Sequence, residues 1–379
     1  MAVNQALLRE AQATGPVRVP VARPRLPSAE AILPYLRQID AAGWYSNFGP
    51  LLTEFEARLA GRFPTGTEIV TVTNATQALT LTLMAMDLPA GGYVVMPAWT
   101  FVATAHAVVQ AGLKPWFADV DPDTGMLRPE AVTALPADVR EQVVAVIPVS
   151  AFGAPGDMAG WRTFRDETGV PVLVDAAAAF DTLNDASLPA VVSLHATKVL
   201  GIGEGGFLAT TDAALARRVR QLTTFGFDGG RESHVAATNA KLSEYAAAVG
   251  LAGLDAWPGD RFRFLRAAQQ LRFSLIGEPD IRFQDGWGSA WVTSVCAVGL
   301  PDGAAVPVAA ALQQKGIDTR QWWGTGCHTS TAFADCARGD LTHTDRLAGS
   351  VIGLPFSIDL GAAETGRISA AVRQALAGL

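Results

Sequence analysis

Short apolar runs alternate with amphipathic segments through the first two thirds of the chain. The runs "EIVTVT", "YVVMP", "KPWFADV", "VVAVIPVS" and "VPVLVD" predict strands, because short apolar runs without polar alternation are typical of a parallel sheet covered on both faces. The segments "ATQALTLTLMAMDL", "TFVATAHAVVQAG" and "MAGWRTFRDETG" predict helices between these strands. The alternation predicts an α/β fold with a mostly parallel sheet flanked by helices.

Two further helices are expected before the first strand. Ser28 is a typical helix N-cap residue, and it precedes "AEAILPYLRQIDAAG", in which we expect Pro34 to disturb the helix. The segment "GPLLTEFEARLAGRF" predicts a second, amphipathic helix.

The pattern divides the chain into three expected parts. Residues 1–20 have the composition of a weakly ordered arm that ends in a proline-rich stretch. Residues 21–249 carry the regular alternation and form the predicted large domain. A long helical segment and a mixed α+β region then follow, so we predict a smaller C-terminal domain over residues 250–379.

Composition narrows the function classes. The 379 residues are 49% hydrophobic and 17% charged, which favours a well-buried globular protein, and the net charge of −7 argues against a general nucleic-acid binder. The three cysteines form neither a metal-binding pattern nor a disulfide framework, so we expect no metal site. With no signal peptide or membrane-length apolar run, we expect a cytoplasmic protein that does not bind membranes.

Lysine is scarce in this chain. Only four of the 29 basic residues are lysines, namely Lys114, Lys198, Lys241 and Lys315. Where arginine replaces lysine so widely, the remaining lysines are enriched for tasks that a permanently charged guanidinium cannot perform, such as forming an imine.

Two predicted strand ends carry residues that could bind a ligand. Ala75 and Thr76 follow Asn74 at the start of a helix, where free backbone N–H groups can hold an anion, although Asn74 could equally be an ordinary N-cap. Asp175 ends a buried strand and is followed by four alanines, so its carboxylate needs a partner. A helix cap or a structural ion pair would also satisfy Asp175.

The stretch "SLHATKVLGIGEGG" carries Ser193 and Lys198, followed by a run of glycines. It is not a P-loop, because the glycines follow the lysine instead of preceding it. Lys198 could be a solvated surface charge. Together, however, a phosphate cradle, a buried carboxylate and a lone lysine are what pyridoxal 5′-phosphate requires: an anion site, a partner for its ring nitrogen and an amine for covalent attachment.

Seven ordered blocks of the sequence resemble the DegT/DnrJ/EryC1/StrS family of sugar-nucleotide aminotransferases, which have the type I fold of pyridoxal-phosphate enzymes. The blocks are "WYSNFGPLLTEFEARLA", "NATQALTLTLMAMDL", "MPAWTFVATAHAVVQAGLKPWFADVDPDTG", "VIPVSAFGAPGDM", "VLVDAAAAF", "SLHATKVLGIGEGGFLATTD" and "TNAKLSEYAAAVGL". The resemblance extends over nearly the whole chain, from about Val19 to the C-terminus.

The resemblance implies roles for individual residues. Lys198 matches the lysine that bonds to the cofactor, and Asp175 matches the partner of the pyridine nitrogen. The remaining cofactor-binding matches are the phosphate ligands Ala75, Thr76 and Ser193, the aromatic residue Phe101 that stacks on the ring, with Trp99 as its neighbour, and Asn239, which reaches the phosphate in the partner subunit's site. The last match implies a homodimer with shared active sites.

The chain departs from the family pattern at two positions. Where the family usually has His or Gln beside the 3-hydroxyl group of the cofactor, this chain has Ala178, so water or another side chain must take that place. Ala75 stands where many members have glycine, which is a mild change.

The N-terminal "PRLPSAEAILPYLRQIDAAGWYSNFGP" and the C-terminal "GIDTRQWWGTGCHTSTAF" resemble a subgroup that aminates dTDP-4-keto-6-deoxyglucose at C4. By resemblance we expect dTDP-4-amino-4,6-dideoxyglucose as product and L-glutamate as amino donor. Arg320 could pair with the diphosphate of the nucleotide sugar, and Trp322 or His328 could line its pocket, although both could be structural. A C3 aminotransferase acting on a 3-keto sugar and a non-catalytic regulatory protein that binds the cofactor are the alternatives.

Overall fold

The computed structural model describes residues 18–379, so most of the arm predicted over residues 1–20 lies outside the described residues. Its strands are β1 (Glu68–Val72), β2 (Tyr93–Pro97), β3 (Lys114–Ala118), β4 (Val143–Val146), β5 (Val174–Asp175), β6 (Ala190–Ser193), β7 (Gly206–Thr210), β8 (Arg282–Phe283), β9 (Cys296–Gly299), β10 (Ala337–Arg338) and β11 (Val351–Leu354).

The helices alternate with these strands, as the sequence predicts. They are α1 (Ala29–Ala42), α2 (Pro50–Ala60), α3 (Ala75–Ala85), α4 (Val102–Gln110), α5 (Pro129–Thr133), α6 (Ala137–Arg140), α7 (Met158–Thr168), α8 (Ala213–Leu222), α9 (Glu244–Ser274), α10 (Ala305–Gln314), α11 (Thr342–Ser350) and α12 (Ala362–Leu376). Ser28 caps α1 as predicted, and this helix continues through Pro34 without a break.

The large sheet consists of two four-stranded halves with the orders β1-β7-β6-β5 and β10-β3-β2-β4. Isolated parallel bridges from Val146 to Val172 and from Val149 to Asp175 join the halves at β4 and β5. All paired strands are parallel except β7, which is antiparallel to both β1 and β6. The mostly parallel sheet is therefore confirmed, with one reversed strand.

Three elements that the sequence pattern does not predict are β6, β7 and α8. These elements flank Lys198, which lies in the connection between β6 and β7. Because β6 and β7 are neighbouring antiparallel strands, the connection returns to the same edge of the sheet, where Ser193 lies opposite Gly206. The lysine is thus held between two strand ends of the buried sheet.

The C-terminal part contains a second, three-stranded antiparallel sheet with the order β11-β9-β8. Three features cross the domain division proposed from the sequence. Helix α9 runs through the boundary at residues 249 and 250, β10 joins the large sheet beside β3, and the N-terminal Val19 bridges to Ile317. Two domains remain our proposal, with the N-terminal segment packed on the smaller one.

The buried core follows from the continuous apolar strands. The inner strands are covered on both sides, and residues such as Val94, Phe117, Val191 and Leu208 are fully buried. Within residues 18–379 no helix is both long and apolar enough to cross a bilayer.

Candidate active site

Asp175 lies at the carboxyl end of β5 and is 5% exposed. Its Oδ2 accepts a 2.8 Å hydrogen bond from Thr104 Oγ1, and its Oδ1 accepts a 3.1 Å bond from the backbone N–H of Ala177. Burial raises the pKa of Asp175, while these two hydrogen bonds and the charge of Lys198 act in the opposite direction. A buried carboxylate in this state is stabilised by a cationic partner such as a pyridinium nitrogen.

Lys198 is electrostatically coupled to Asp175. Its backbone N–H donates to His195 O over 2.8 Å, which closes a turn after β6. Burial lowers the pKa of Lys198, and the Asp175 carboxylate partly offsets that shift. Among the residues that the structure describes, none accepts a hydrogen bond from its side-chain amine. An amine with a lowered pKa carries more of the unprotonated form that attacks a carbonyl group.

The N-terminus of α3 has backbone N–H groups of the kind that can bind an anion. The Asn74 side chain caps this helix by accepting from Gln77 N over 2.9 Å. The backbone N–H groups of Ala75 and Thr76 therefore stay available at the positive end of the helix. The N-cap role of Asn74 and an anion site are therefore compatible, because the cap bonds the N–H group of Gln77 and not those of Ala75 and Thr76.

Gly206 and Ser193 lie at strand ends beside the N-terminus of α3. A Cβ atom on residue 206 would lie 2.6 Å from the amide nitrogen of Ala75, so only glycine lets β7 approach the helix this closely. Across the β6–β7 pair, Ser193 lies opposite Gly206, and its Oγ accepts a 3.2 Å bond from His195 N. The Ser193 hydroxyl therefore keeps its proton available for an anionic ligand. These groups have the donor chemistry that a phosphate needs.

Phe101 and Trp99 follow β2 but differ in exposure. Phe101 is the N-cap residue of α4 and is 57% exposed, so its ring is free to cover a ligand. Trp99 is buried and packs edge-to-face against Trp323, with ring centroids 5.3 Å apart. Trp323 in turn stacks on Phe152 at 4.0 Å. The aromatic cluster supports the end of β2, and Phe101 is the ring that remains available.

The backbone of the loop after β4 packs against Ala178. A Cβ atom on Gly153 would lie 2.5 Å from the Ala178 carbonyl oxygen, and Gly153 has a φ of 93°. Phe152, just before it, also has a left-handed φ of 53°. Residue 178 presents only a methyl group here, so its side chain contributes no hydrogen bond.

Asn239 lies apart from these groups within its own chain. It is exposed, and its Oδ1 accepts a 2.6 Å bond from Lys241 Nζ. The next residue, Ala240, accepts a backbone bond from Thr73 N over 3.0 Å. The hydrogen bonds of the described chain do not connect the Asn239 side chain to Ser193 or Thr76.

The three residues predicted to contact substrate, Arg320, Trp322 and His328, differ in solvent exposure. Arg320 is exposed, forms no ion pair with any residue in 18–379, and has its guanidinium carbon 5.2 Å from the Trp322 ring centroid. The Trp322 indole N–H is buried, has no partner among residues 18–379, and lies so close to Gly353 that a Cβ atom there would overlap it. Trp322 is thus a platform for Arg320, and the indole N–H is turned away from solvent.

His328 is 6% exposed and lies in the core beneath the end of β2. Its Nδ1 has no partner in the described structure, and its Nε2 is 3.6 Å from Asp345 Oδ1. Burial lowers the pKa of His328, with the Asp345 charge opposing the shift. This environment favours the structural alternative for His328 over a substrate contact.

The local sequence indicates no role for Thr104 and marks Gly206 only as one of several glycines. Thr104 lies within a helix, and nothing local indicates that its hydroxyl meets a carboxylate 71 residues away. Gly206 was one glycine in a run, and only the pairing of β7 with β1 gives it a role at the cradle. For metals, no group of three or more His, Cys, Asp or Glu side chains in residues 18–379 could hold an ion.

Comparisons with known proteins identify the family of this chain. A sequence model of the DegT/DnrJ/EryC1/StrS aminotransferase family matches residues 28–373. The chain is 30% identical to UDP-2-acetamido-2-deoxy-3-oxo-D-glucuronate aminotransferase of Pseudomonas aeruginosa, over 86% of this chain and 90% of that protein. It is 31% identical to dTDP-4-amino-4,6-dideoxy-D-glucose transaminase of Shigella dysenteriae, over 62% of this chain and 64% of that protein.

A solved structure extends the similarity to three dimensions. The structure of DesI with its TDP-sugar product superimposes with a TM-score of 0.85 and 34% identity, covering 95% of this chain and 94% of DesI. The fold is therefore the type I fold of pyridoxal-phosphate aminotransferases. The chain belongs to the DegT/DnrJ/EryC1/StrS aminotransferase family, and its cofactor is pyridoxal 5′-phosphate.

Proposed function

We propose that this chain transfers the amino group of L-glutamate to C4 of dTDP-4-keto-6-deoxy-D-glucose and forms dTDP-4-amino-4,6-dideoxyglucose. The observation that carries the proposal is that Lys198 and Asp175 are both buried and that the charge of each shifts the pKa of the other. Relatives of this chain aminate nucleotide sugars, and one of them is named for the 4-amino product.

Different residues bind the phosphate, the ring face and the ring nitrogen of the cofactor in this proposal. The N–H groups of Ala75 and Thr76 and the Ser193 hydroxyl hold its phosphate, Phe101 covers one face of its ring, and Asp175 keeps the ring nitrogen protonated. When bound, pyridoxal phosphate supplies an electron sink for the carbon that exchanges its amino group. Thr104 and Ala177 orient the Asp175 carboxylate for this contact.

Lys198 then moves the protons. In the first half-reaction Lys198 Nζ would act as the base that removes the Cα proton of L-glutamate, while the amino group would pass to the bound cofactor and water would supply the keto oxygen of the departing 2-oxoglutarate. In the second half-reaction, Lys198 returns a proton to C4 of the sugar. The lowered pKa of Lys198 favours the unprotonated amine that removes a proton, and the ammonium formed in that step then donates the proton.

Arg320 and Trp322 are the proposed contacts to the nucleotide sugar. The Arg320 guanidinium lies on the Trp322 ring with no carboxylate neutralising it among residues 18–379, so it can pair with a diphosphate. His328 is not included in this group, since its ring is buried.

The proposed active unit is a homodimer with shared sites. Asn239 is exposed, the exposed Phe225 belongs to the same segment of backbone pairing, and further exposed aromatic side chains include Trp44, Tyr45 and Tyr245. Tyr45 and Tyr245 stack on each other with centroids 6.3 Å apart. An exposed aromatic surface together with an exposed phosphate-binding amide supports a partner subunit that covers both.

A test in two stages separates this function from its alternatives. The purified protein is loaded with pyridoxal phosphate, treated with L-glutamate, and then given the 4-keto and 3-keto deoxysugar nucleotides in separate reactions. The proposal expects release of 2-oxoglutarate and a product whose amino group lies at C4 by NMR. A C3 product would establish the C3 aminotransferase, and cofactor binding without amino transfer would establish the regulatory alternative. The Lys198→Ala variant is the control.

Shared sites are tested by mixing two defective variants. Lys198→Ala removes the amine, and Asn239→Asp places a carboxylate against the phosphate. In a randomly mixed dimer population, roughly one quarter of all sites combine an intact Lys198 with an intact partner Asn239, so about a quarter of the wild-type activity returns. Activity no higher than the sum of the separate variants would contradict shared sites.

A further inference from the structure

The orientation of the Asn239 amide is fixed by Lys241. The Lys241 ammonium has only hydrogen-bond donors, so the amide atom 2.6 Å from Nζ must be the oxygen. The amide NH2 group of Asn239 then faces away from Lys241 and into the exposed surface. This is the orientation in which Asn239 can donate to a phosphate, whereas the flipped amide would present an acceptor to an anion.

Lys241 is itself held in place by its surroundings. Its Nζ lies 4.8 Å from the centroid of the Phe225 ring, within the range of a cation–π contact. The Phe225 backbone donates to Thr238 O over 2.9 Å, and Thr224 forms a β-bridge with Asn239. The ring, the lysine and the amide are therefore parts of one small backbone-paired unit.

The charge of Lys241 has no counter-ion. No carboxylate within residues 18–379 forms an ion pair with it, and partial burial lowers the pKa of Lys241. The backbone N–H of Thr73 donates to Ala240 O, which ties the unit to the residue before Asn74. The amide orientation is thus set by the folded chain, before any partner subunit contacts it.

We propose that Lys241 is a positioning residue that holds the Asn239 amide with its NH2 group toward the cofactor phosphate in the partner subunit's site. This rests on the proposed homodimer with shared sites. Lys241 acts through Asn239, and its unpaired positive charge would also lie near the cofactor phosphate. Its removal should therefore weaken binding of the phosphorylated cofactor and leave binding of the unphosphorylated aldehyde nearly unchanged.

The test compares pyridoxal phosphate with pyridoxal, which lacks the phosphate, in titrations of the full-length apoprotein. For Lys241→Met we expect the Kd of pyridoxal phosphate to rise about tenfold and that of pyridoxal to change by less than about twofold. Lys241→Arg should keep most of the wild-type affinity for pyridoxal phosphate, because a guanidinium also has only hydrogen-bond donors. Lys315→Met, at a lysine that bonds Gln374 on the C-terminal helix, is the matched control and should change neither Kd.

Asn239→Ala distinguishes the inference from the function on which it rests. We expect Asn239→Ala to weaken the binding of pyridoxal phosphate but not that of pyridoxal. The double variant Asn239→Ala/Lys241→Met should lose little more affinity, because both substitutions act on one contact. The positioning role would be overturned if Lys241→Met lowered the affinity for pyridoxal phosphate and for pyridoxal equally, or lowered neither. If Asn239→Ala is selective while Lys241→Met is not, shared phosphate binding stands and only the inference fails. If Asn239→Ala also shows no selectivity, the shared phosphate site fails with it.

Discussion

Thr104 donates a 2.8 Å hydrogen bond to Asp175, and Thr100 shares a 2.9 Å bond with Thr104, so a buried hydroxyl pair orients the carboxylate at the centre of the site. Helix α4 begins immediately after Phe101, the residue proposed to cover the cofactor ring. One helix therefore orients the Asp175 carboxylate and begins at the aromatic side chain that we propose for the ring face.

Replacement of Thr104 by valine tests this arrangement. Thr104→Val keeps the shape but removes the hydroxyl, so the pKa of Asp175 should rise further and its hold on the protonated ring nitrogen should weaken. We expect a loss of about tenfold in kcat with the folded state retained. Thr82→Val is the control, because Thr82 is equally buried but bonds the backbone oxygen of Ala78. An equal loss of kcat in both variants would contradict the role of Thr104.

The lowered pKa of Lys198 makes a prediction about stability in the apoprotein. The unfolded chain binds a proton at the ordinary lysine value of 10.5, whereas the folded chain binds it less tightly. At neutral pH this difference favours the unfolded state, and the penalty disappears as the pH rises above 10.5. Lys198→Met should therefore raise the Tm of the apoprotein at pH 7, with a gain that shrinks toward high pH. A gain that is constant or increases with pH in thermal unfolding scans would contradict the shifted pKa.

Gly206→Ala tests the contact between β7 and the cradle. The added methyl group would lie 2.6 Å from Ala75 N, so either β7 or the start of α3 must move. We expect a loss of about 1–3 kcal/mol in the free energy of unfolding and weaker binding of pyridoxal phosphate than of pyridoxal. Gly366→Ala is the control, since a Cβ there meets no atom within 4 Å. Unchanged phosphate selectivity would show that the cradle does not depend on this glycine.

Arg320→Met separates the two half-reactions. If Arg320 pairs with the diphosphate, the KM for the nucleotide sugar should rise about tenfold while the rate with L-glutamate alone stays within about twofold of wild type. Arg373→Met, which removes a surface ion pair with Glu278, is the control. A parallel fall in both half-reactions would assign Arg320 a structural role and remove it from the substrate site.

The sequence revealed those parts of the site that depend on local pattern. Asp175 could be predicted because an apolar strand ends at a carboxylate, and the helix start at Ala75 because Asn74 is a cap residue. The reversed strand β7 could not be predicted, because apolar periodicity indicates that a strand exists but not its direction. Thr104 and Gly206 act through contacts between distant segments, which no local pattern records.

His328 shows that a sequence motif alone does not reveal whether a side chain is buried. Its position in "GCHTSTAF" resembles a substrate-binding segment, but its ring is buried against Phe117 and near Asp345. Arg320, eight residues earlier, is exposed. Burial, which depends on packing of the whole chain, separates the two residues, and the sequence motif alone does not.

Trapping the cofactor bond by reduction tests the central claim most directly. The loaded enzyme is treated with borohydride, with or without prior addition of L-glutamate, and the modified peptide is identified by mass spectrometry. The account predicts that the cofactor is attached to Lys198, and to none of Lys114, Lys241 or Lys315, and that L-glutamate abolishes this attachment because the donor displaces the lysine. Attachment to another lysine, or attachment to Lys198 that persists with L-glutamate, would contradict it.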